Sequence, residues 1–364
     1  MDRWTVLFAG SAAIDVALAL WVALRRGRGR PIGRQGSLAV ALWLAKLWLL
    51  VQAGLEPFWG YLHVLWLDLV LAVPAFGLGL AATGRGRGHR AAGLAGLALA
   101  LMGLWGSFVA PNRLVLERAV VPLPAARAGD RPITVGVLAD LQFERVGAHE
   151  REAVDRLMAL RPDVVVVPGD VHQGSSQTLR EELPAIRALL GPLRAPGGVW
   201  LVEGDHEDLA EARLITAGTR VRVLGEEIVT VPVGDRRLTI GGIGPRYRSA
   251  GATGVMSRLE RAPGRRDVRL LLAHRPDAAL LLPPQPRTEL VVAGHTHGGQ
   301  VALPFIGPLM AFTDVPLPVA AGGLHDLGAG RRIYVSRGVG VERGQAPRVR
   351  LNVAPEISLL TLAQ

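Results

Sequence analysis

The sequence predicts an α/β domain that follows a membrane region of four helices. Leu, Ala, Val, Trp and Gly dominate the chain before about residue 110, whereas the rest of the 364 residues alternates apolar runs with charged, turn-rich segments. In that second part, short strand-like runs alternate with helical spacing, and polar residues follow the strands. We therefore expect a transmembrane region at residues 1–111 and a separate domain at residues 112–364.

The first part carries four apolar segments, each of a length that suits a bilayer-spanning helix. They cover about residues 4–24, 38–54, 62–82 and 91–110. Arg25 and Arg26 follow the first segment and no small-x-small cleavage site is evident, so we expect an anchor rather than a cleaved signal peptide. The charged residues within these segments, Asp15, Lys46 and Asp68, are expected to pair inside the helix bundle.

Arginine-rich loops predict the orientation of these helices. Residues 25–34 and 85–90 hold clusters of arginine, whereas residues 52–61 hold one acidic residue and no basic one. Because short loops rich in arginine stay cytoplasmic, we expect a multi-pass protein of the cell membrane with its C-terminal domain on the outer face.

Composition limits the partners. The chain has no cysteine, so a metal must be held by His, Asp, Glu, Asn or Gln, a set that suits Mn, Fe, Zn or Mg. The formal charge of +10 is compatible with nucleic-acid binding, but the arginines are mixed with acidic residues or border apolar segments. This pattern is typical of membrane topology signals and argues against a nucleic-acid partner.

The second part has the element order of an α/β domain. The predicted helices cover residues 149–160 and 179–190, and residues 220–243 form a β-rich section with a hairpin at residues 234–235. The predicted strands cover residues 113–123 at a sheet edge, 133–139, 164–167, 199–202, 269–272, 291–293, 333–335 and 357–362.

Side chains that can bind a metal or transfer a proton follow the ends of these strands. Residues 291–300 read Val-Val-Ala-Gly-His-Thr-His-Gly-Gly-Gln, and glycines contribute nothing to a core, so packing alone does not explain this pattern. If the strands lie side by side, their polar ends converge on one crevice, with about the number of ligands that two divalent cations need. The candidates are Asp140, Gln142, Asp170, Asp205, His206, His274, His295 and His297.

With these motifs in this order, residues 113–364 resemble the calcineurin-like metallophosphoesterases. The family pattern is Asp-x-His, Gly-Asp, Gly-Asn-His-Glu, a lone His and Gly-His-x-His. It appears here as Asp140-Leu141-Gln142, Gly169-Asp170, Gly204-Asp205-His206-Glu207, His274 and Gly294-His295-Thr296-His297. The form Gly-His-Thr-His-Gly-Gly-Gln is similar to the membrane-associated branch with YkuE-like enzymes and lipid-directed UDP-diacylglucosamine hydrolases.

The resemblance implies a four-layer α/β/β/α sandwich of two mixed sheets and two divalent metal ions. A hydroxide that bridges the metals would attack phosphorus in line, and His206 would protonate or stabilise the leaving oxygen. The substrate would be a phosphorylated small molecule or a lipid, such as a phospholipid or a lipid-linked diphosphate. One metal would be held by Asp140, position 142, Asp170 and His297, and the other by Asp170, position 205, His274 and His295.

Two residues depart from the family pattern. Gln142 replaces a histidine, and an amide oxygen is a poorer ligand for a borderline cation. Asp205 replaces an asparagine and adds a negative charge. These departures predict an active enzyme with an altered metal preference, and the alternative is a non-catalytic metal-binding sensor or interaction protein. A third hypothesis, transport through the four helices, rests only on the charges within the apolar segments.

Three further residues near the motifs are not included among the candidate site residues. His172 follows Asp170 by two residues and is either a ligand, a substrate contact or a solvated loop histidine. Arg145 and Arg337 flank the site-forming loops, but a salt-bridged or solvated role is favoured for both, so neither is placed in the site.

Overall fold

The computed structural model describes residues 3–29, 33–264 and 266–364. Arg30, one arginine of the first basic loop, lies outside the described residues. The chain divides into two compact units. One consists of Met1–Val109 with Glu342–Arg348, and the other of Ala110–Val341 with Val349–Gln364.

Helices make up most of the first unit, and the described residues contain four helical segments that are long and apolar enough to cross a membrane. These segments are Arg3–Gly27, Gly33–Gln52, Trp59–Thr83 and Arg87–Asn112, which confirms the four predicted helices. Their α-helical parts are α1 (Arg3–Gly27), α2 (Gly33–Gln52), α3 (Trp59–Leu67), α4 (Val73–Thr83) and α5 (Arg87–Leu104).

The third segment widens into a π-helical turn at Asp68–Ala72 between α3 and α4. Pro74 follows this turn after one intervening residue, Val73. A proline cannot donate the helical hydrogen bond and its ring crowds the preceding turn, so the wider turn lets the helix continue. The fourth segment ends through a second π-helical turn, Trp105–Val109, and a short 3₁₀ turn, Ala110–Asn112.

Two of the three charges within the apolar segments form an ion pair, as predicted, and the third accepts a hydrogen bond from a neutral side chain. Lys46 forms a buried ion pair with Asp15. Trp43 Nε1 donates to Asp68 Oδ2 at 3.0 Å. An unpaired charge in an apolar span costs several kcal/mol, so these contacts explain how the helices tolerate the three charges.

The second unit contains all fourteen strands of the described residues and six helices. The helices are α6 (Ala125–Ala128), α7 (Ala148–Ala159), α8 (Ser176–Leu190), α9 (Leu209–Thr216), α10 (Ala250–Arg261) and α11 (Leu317–Ala320). The strands are β1 (Val115–Pro122), β2 (Ile133–Val137), β3 (Val164–Val167), β4 (Val199–Leu201), β5 (Val221–Val223), β6 (Ile228–Val233), β7 (Arg236–Ile243), β8 (Val268–Ala273), β9 (Leu290–Ala293), β10 (Ala302–Leu303), β11 (Gly307–Pro308), β12 (Gly323–Asp326), β13 (Arg332–Val335) and β14 (Glu356–Ala363).

Two six-stranded mixed sheets organise this unit. The first has the order β1-β14-β2-β3-β4-β5, with β2 to β5 parallel and β14 antiparallel to β2. The second has the order β12-β13-β9-β8-β7-β6, with β13, β9, β8 and β7 parallel. The predicted edge strand β1 lies at an edge of the first sheet.

Burial shows four layers. One core cluster is formed by the facing sides of both sheets and includes Val135, Trp200, Leu238 and Leu270. A second packs α7 and α8 against the outer face of the first sheet, and a third packs α10 and α11 against the outer face of the second. The unit is therefore the α/β/β/α sandwich that the resemblance implied.

Helices α9 and α10 of this unit were not predicted from periodicity. Helix α10 includes Gly251 and Gly254, which weaken helical propensity, and α9 is only eight residues long. Tertiary packing stabilises both, because their apolar faces lie in the cores outside the two sheets.

The carboxyl ends of parallel strands from both sheets lead into the candidate site. Asp140, Asp170 and Asp205 follow β2, β3 and β4 of the first sheet. His274 and His295 follow β8 and β9 of the second. The crevice beyond the carboxyl ends of parallel strands is the usual ligand site of such sheets.

Candidate metal centre

The backbone takes a left-handed conformation at five of the predicted ligands. The φ angles are 45° at Asp140, 42° at Gln142, 54° at Asp170, 72° at His295 and 47° at His297. Each such non-glycine residue costs about 1–2 kcal/mol, and such residues cluster at functional sites where the surrounding structure holds them.

Glycines allow backbone segments to approach these carboxylates. A Cβ at Gly294 would lie 2.6 Å from Asp140 Oδ2, and one at Gly338 would lie 2.7 Å from Asp140 Cβ. A Cβ at Gly204 would lie 2.1 Å from Asp170 Oδ1. These positions must therefore be glycine, because any larger side chain would collide with the neighbouring aspartates.

Asp205, His274 and His295 form the first group of possible ligands, with one ligand atom from each within 4.8 Å of the others. Asp205 Oδ2 lies 3.2 Å from His274 Nε2 and 2.9 Å from His295 Nδ1. The two imidazole rings meet edge to face, with centroids 5.2 Å apart.

Asp140, Asp170 and His274 form the second group, within the same 4.8 Å limit. All three side chains are buried. His274 Nε2 lies 3.5 Å from Asp170 Oδ2, and both carboxylate oxygens of Asp140 accept from the backbone N–H of His295 at 3.1 Å. His274 thus belongs to both groups, which makes one continuous cluster.

Hydrogen bonds to backbone carbonyls orient two of the imidazoles. His274 Nδ1 lies 2.7 Å from the carbonyl of Pro168, and His295 Nε2 lies 2.9 Å from the carbonyl of Phe312. A carbonyl bound to one ring nitrogen fixes the tautomer and leaves the other nitrogen as a ligand. In both residues the nitrogen left over is the one that faces Asp205.

The electrostatics show that this cluster attracts positive charge. Burial raises the pKa of Asp140 to about 7, and the neighbouring Asp170 carboxylate acts in the same direction. Burial alone would lower the pKa of His274, but the carboxylates of Asp170, Asp205 and Asp140 outweigh it and raise that pKa to about 10. Near neutral pH these values leave a proton on His274 and, in part of the molecules, on Asp140.

His206 lies beside the cluster, and its side chain is 27% exposed. Its backbone N–H donates to Asp170 Oδ1 at 3.0 Å, and its Nε2 lies 3.9 Å from Asp170 Oδ2. The next residue, Glu207, is buried and accepts from the N–H of Val171. Burial and the nearby Asp170 raise the pKa of Glu207 well above its ordinary value.

The sequence reasoning missed Arg275, which directly follows His274. Its guanidinium binds Asp205, with Nη2 at 2.7 Å from Oδ1 and Nε at 3.2 Å from Oδ2. Burial alone would raise the pKa of Asp205, but hydrogen bonds with His274, His295 and Arg275 hold it well below its usual range. The sequence did contain a signal for Arg275, because a basic residue beside a strand-end histidine could pair with the carboxylate that stands in place of the family's asparagine.

Arg350 is a second missed residue, and nothing in the local sequence indicates it. Its fully buried guanidinium donates to the carbonyls of Arg337, Gly338 and Gly340, and its Nη2 lies 3.4 Å from His297 Nδ1. Burial lowers the pKa of Arg350 to about 10. The residue joins the loop after β13 to the histidine motif.

Among the described residues, the structure brings five of the predicted ligands into the two groups: Asp140, Asp170, Asp205, His274 and His295. His297 belongs to neither group and lies buried against Arg350. Gln142 is also buried, and its backbone N–H donates to the carbonyl of Asp170 at 2.9 Å.

The residues left out of the site have structural partners. Arg145 pairs with Glu181 and Glu182, and Arg337 pairs with Glu117 and Glu356. His172 is buried, so the interpretation as a solvated histidine is wrong. Its ring meets Phe143 edge to face, and burial lowers its pKa.

The donor set fits a divalent cation. It consists of carboxylate oxygens and imidazole nitrogens only, the set that Mn, Fe and Zn share. The second coordination shell is in place, because the imidazoles are oriented by carbonyls and the Asp140 carboxylate by a backbone N–H. Metal ligation would replace the protons that the cluster otherwise holds.

Comparison with known proteins gives the following relatives. No protein-family model matches the chain. YkuE of Bacillus subtilis (strain 168), described as a metallophosphoesterase, is 31% identical over 215 residues, 56% of this chain and 68% of that protein. The phosphodiesterase YaeI of Escherichia coli (strain K12) is 27% identical over 241 residues, 64% of this chain and 82% of that protein.

A bovine relative also carries a membrane part by its description. The transmembrane protein with metallophosphoesterase domain from Bos taurus is 27% identical over 259 residues, 66% of this chain and 55% of that protein. The chain spans about half the length of this relative and of a Caenorhabditis elegans metallophosphoesterase that it also matches.

Proposed function

Because this chain belongs to the calcineurin-like metallophosphoesterases, a family of metal-dependent hydrolases, we propose a membrane-anchored enzyme that hydrolyses phosphate ester or diphosphate bonds of lipids. The substrate class is phospholipid or a lipid-linked, UDP-diacylglucosamine-like diphosphate. The observation that carries the catalytic proposal is the pair of ligand groups that share His274. Residues 1–111 are the membrane region and residues 112–364 the catalytic domain.

Two divalent cations are the proposed cofactors. When bound, they neutralise phosphoryl oxygens and lower the pKa of water to near neutrality. Supporting this assignment, Asp170 Oδ2 lies 3.5 Å from His274 Nε2, the imidazole that both ligand groups share. The proposed ligands of one cation are Asp140, Gln142, Asp170 and His297, and those of the other are Asp170, Asp205, His274 and His295.

His206 is the proposed proton donor to the leaving oxygen. Its backbone N–H binds the Asp170 carboxylate, while its ring stays partly exposed to an incoming substrate. Its ring nitrogen Nε2 lies 3.9 Å from Oδ2 of the same carboxylate. A positioned imidazole typically contributes about 10²–10⁴-fold to such proton transfers.

Arg275 has a double role in this proposal. Its guanidinium offsets the extra negative charge that Asp205 brings in place of the family's asparagine. Its side chain is 36% exposed, so the N–H groups that do not bind Asp205 can bind a phosphoryl oxygen at the rim of the crevice. The pair Asp205–Arg275 thus preserves the net charge that a neutral asparagine would leave at this position.

The membrane region supports both the proposed lipid substrate and the proposed location of the protein in a membrane. The four apolar helices and the description of the bovine relative indicate a membrane protein. We propose that all four helices span the membrane and, from the arginine-rich loops at residues 25–34 and 85–90, that the catalytic domain lies on the outer face.

The direct test is hydrolysis by the full-length chain in detergent micelles with Mn²⁺. We expect turnover of bis-p-nitrophenyl phosphate and of a lipid diphosphate, and loss of about 10³-fold or more in His274→Gln. His325→Gln is the matched control, because His325 lies in β12 and bonds to the Gly322 carbonyl. Absence of turnover with any of the candidate metals would refute the catalytic assignment.

The sensor hypothesis is favoured by one observation, the network in which Asp205 is already held by Arg275, His274 and His295. It predicts tight binding of one metal and no turnover. The double substitution Gln142→His with Asp205→Asn should then switch hydrolysis on. If the wild-type chain already turns over substrate and the double variant is slower, the sensor hypothesis fails.

A further inference from the structure

An apolar hairpin follows the histidine motif directly. Residues 301–312, which we call the apolar hairpin, contain β10 and β11 and carry no charged residue. The charge-free run extends from Gly298 through Thr313, with Asp314 next.

Large apolar side chains project from this hairpin into solvent. Phe305 is fully exposed and Ile306 is 72% exposed. Six of the ten large apolar side chains that the described residues of the second unit expose lie in the hairpin: Leu303, Phe305, Ile306, Leu309, Met310 and Phe312. A contiguous exposed apolar patch of this kind marks an interaction surface rather than ordinary surface composition.

The hairpin is an ordered structure with its own hydrogen bonds. Ala302 N–H donates to the carbonyl of Leu351 at 2.9 Å, and Asn352 Nδ2 donates to the carbonyl of Ala302 at 2.9 Å. Within the hairpin, Leu309 N–H donates to the carbonyl of Val301 at 3.3 Å. The apolar tip is therefore held in a defined conformation.

We propose that the apolar hairpin inserts into the acyl-chain boundary of the lipid bilayer that the chain's own helices span. Arg113 and Leu114 alone separate Asn112, the last residue of the fourth apolar helical segment, from β1, so this strand begins within a few residues of a proposed membrane helix. Phe, Ile and Leu without any charge are the side chains that an interfacial segment buries among lipids. A bilayer is also the apolar phase that this chain brings with it, whereas a protein partner would have to be recruited.

Insertion of the hairpin brings the candidate metal centre to the lipid surface. The carbonyl of Phe312 at the base of the hairpin is the hydrogen-bond partner of His295. A Cβ at Gly299 would lie 2.6 Å from Pro308, so the hairpin also packs on the glycine pair of the histidine motif. Access of a lipid phosphate to the centre rests on the proposed catalytic function, whereas insertion rests only on the proposed membrane-spanning helices.

The test uses the absence of cysteine in the chain, because each introduced cysteine is then a unique labelling site. Full-length Ile306→Cys is labelled with the environment-sensitive fluorophore NBD and reconstituted in phosphatidylcholine–phosphatidylglycerol vesicles. Leu214→Cys is the matched control, since Leu214 lies in α9 and is exposed at 41%. Thermal unfolding in detergent checks that both labelled proteins keep the wild-type fold.

We expect the label at position 306 to be quenched by lipids with a doxyl group on the acyl chain. We also expect it to be at least about five-fold less quenched by aqueous iodide than the label at position 214. Equal iodide quenching at both positions would overturn the proposal. Protection at position 306 that appears only with energy transfer between labelled chains, and depends on the protein-to-lipid ratio, would overturn it in favour of a second copy. None of these readouts requires turnover, so they separate failed insertion from failed catalysis.

Discussion

Arg275→Gln separates the two roles proposed for Arg275. In the structure its guanidinium contacts both oxygens of Asp205, a carboxylate that also contacts two imidazoles. Glutamine keeps an N–H donor near the position of Arg275 Nε and removes the charge together with the terminal nitrogens, including the Nη2 that donates to Asp205. We expect the substitution to strengthen cation binding and, at the same time, to weaken phosphate binding.

The size of the effect on the metal follows from the charges. A guanidinium and a dication on opposite sides of one carboxylate repel each other by about 1–2 kcal/mol, at roughly 6 Å and the water-like screening of a side chain 36% exposed. The dissociation constant for Mn²⁺ should therefore fall by about 5- to 30-fold. The KM for a phosphodiester should rise by about ten-fold or more, because a charge-assisted hydrogen bond is lost.

Isothermal titration with Mn²⁺ after chelation measures the first effect, and steady-state kinetics measures the second. Arg145→Gln is the control, since it makes the same change in net charge at a side chain 63% exposed that pairs with Glu181 and Glu182. Both constants should stay within about two-fold there. If Arg275→Gln instead weakens Mn²⁺ binding, Arg275 positions Asp205 as a ligand and the electrostatic reasoning is wrong.

Three further outcomes are expected. Gly204→Ala places a methyl group against the Asp170 carboxylate and should cost about 1–3 kcal/mol of stability and reduce the amount of bound Mn²⁺. Gly254→Ala, in open space on α10, should be neutral or stabilising; thermal unfolding and metal analysis measure both effects. Because the folded pKa of Asp140, about 7, exceeds its ordinary value of 3.8, metal-free protein should lose stability as pH rises through this range. Urea unfolding at a series of pH values measures this loss, and Asp140→Asn should reduce the pH dependence; the same dependence in both proteins would contradict the raised pKa. Lys46→Met leaves Asp15 without its buried partner and should destabilise the detergent-solubilised chain by about 3 kcal/mol. Adding Asp15→Leu should restore most of this loss. Equal stability of the single and double variants would contradict the ion pair.

Much of the fold was predictable because local patterns specify it. The four apolar segments, the buried strand Val164–Val167 and the hairpin of β6 and β7 follow from apolar length and periodicity. The sequence did not predict α9 and α10, because a short helix and a helix with two glycines have weak local signals. Packing against the sheets decides both.

The candidate site divides in the same way. Strand-end motifs predicted Asp140, Asp170 and His274, since a carboxylate or imidazole after a buried parallel strand reaches the edge of the sheet. They could not predict Arg350, which meets His297 across 53 residues of chain. They also left open whether His172 is solvated, whereas in the structure this residue is buried.

The sequence by itself determined which residue types are available to this protein: apolar segments of bilayer length, oxygen and nitrogen ligands without a thiolate, and an ordered set of strand-end motifs. Only the tertiary structure decided that His274 joins two ligand groups, that Arg275 neutralises Asp205, and that the apolar hairpin projects beside the histidine motif. The physical reason is that periodicity and turn preferences act over a few residues. Charge pairing and exposure depend on which distant strands lie side by side.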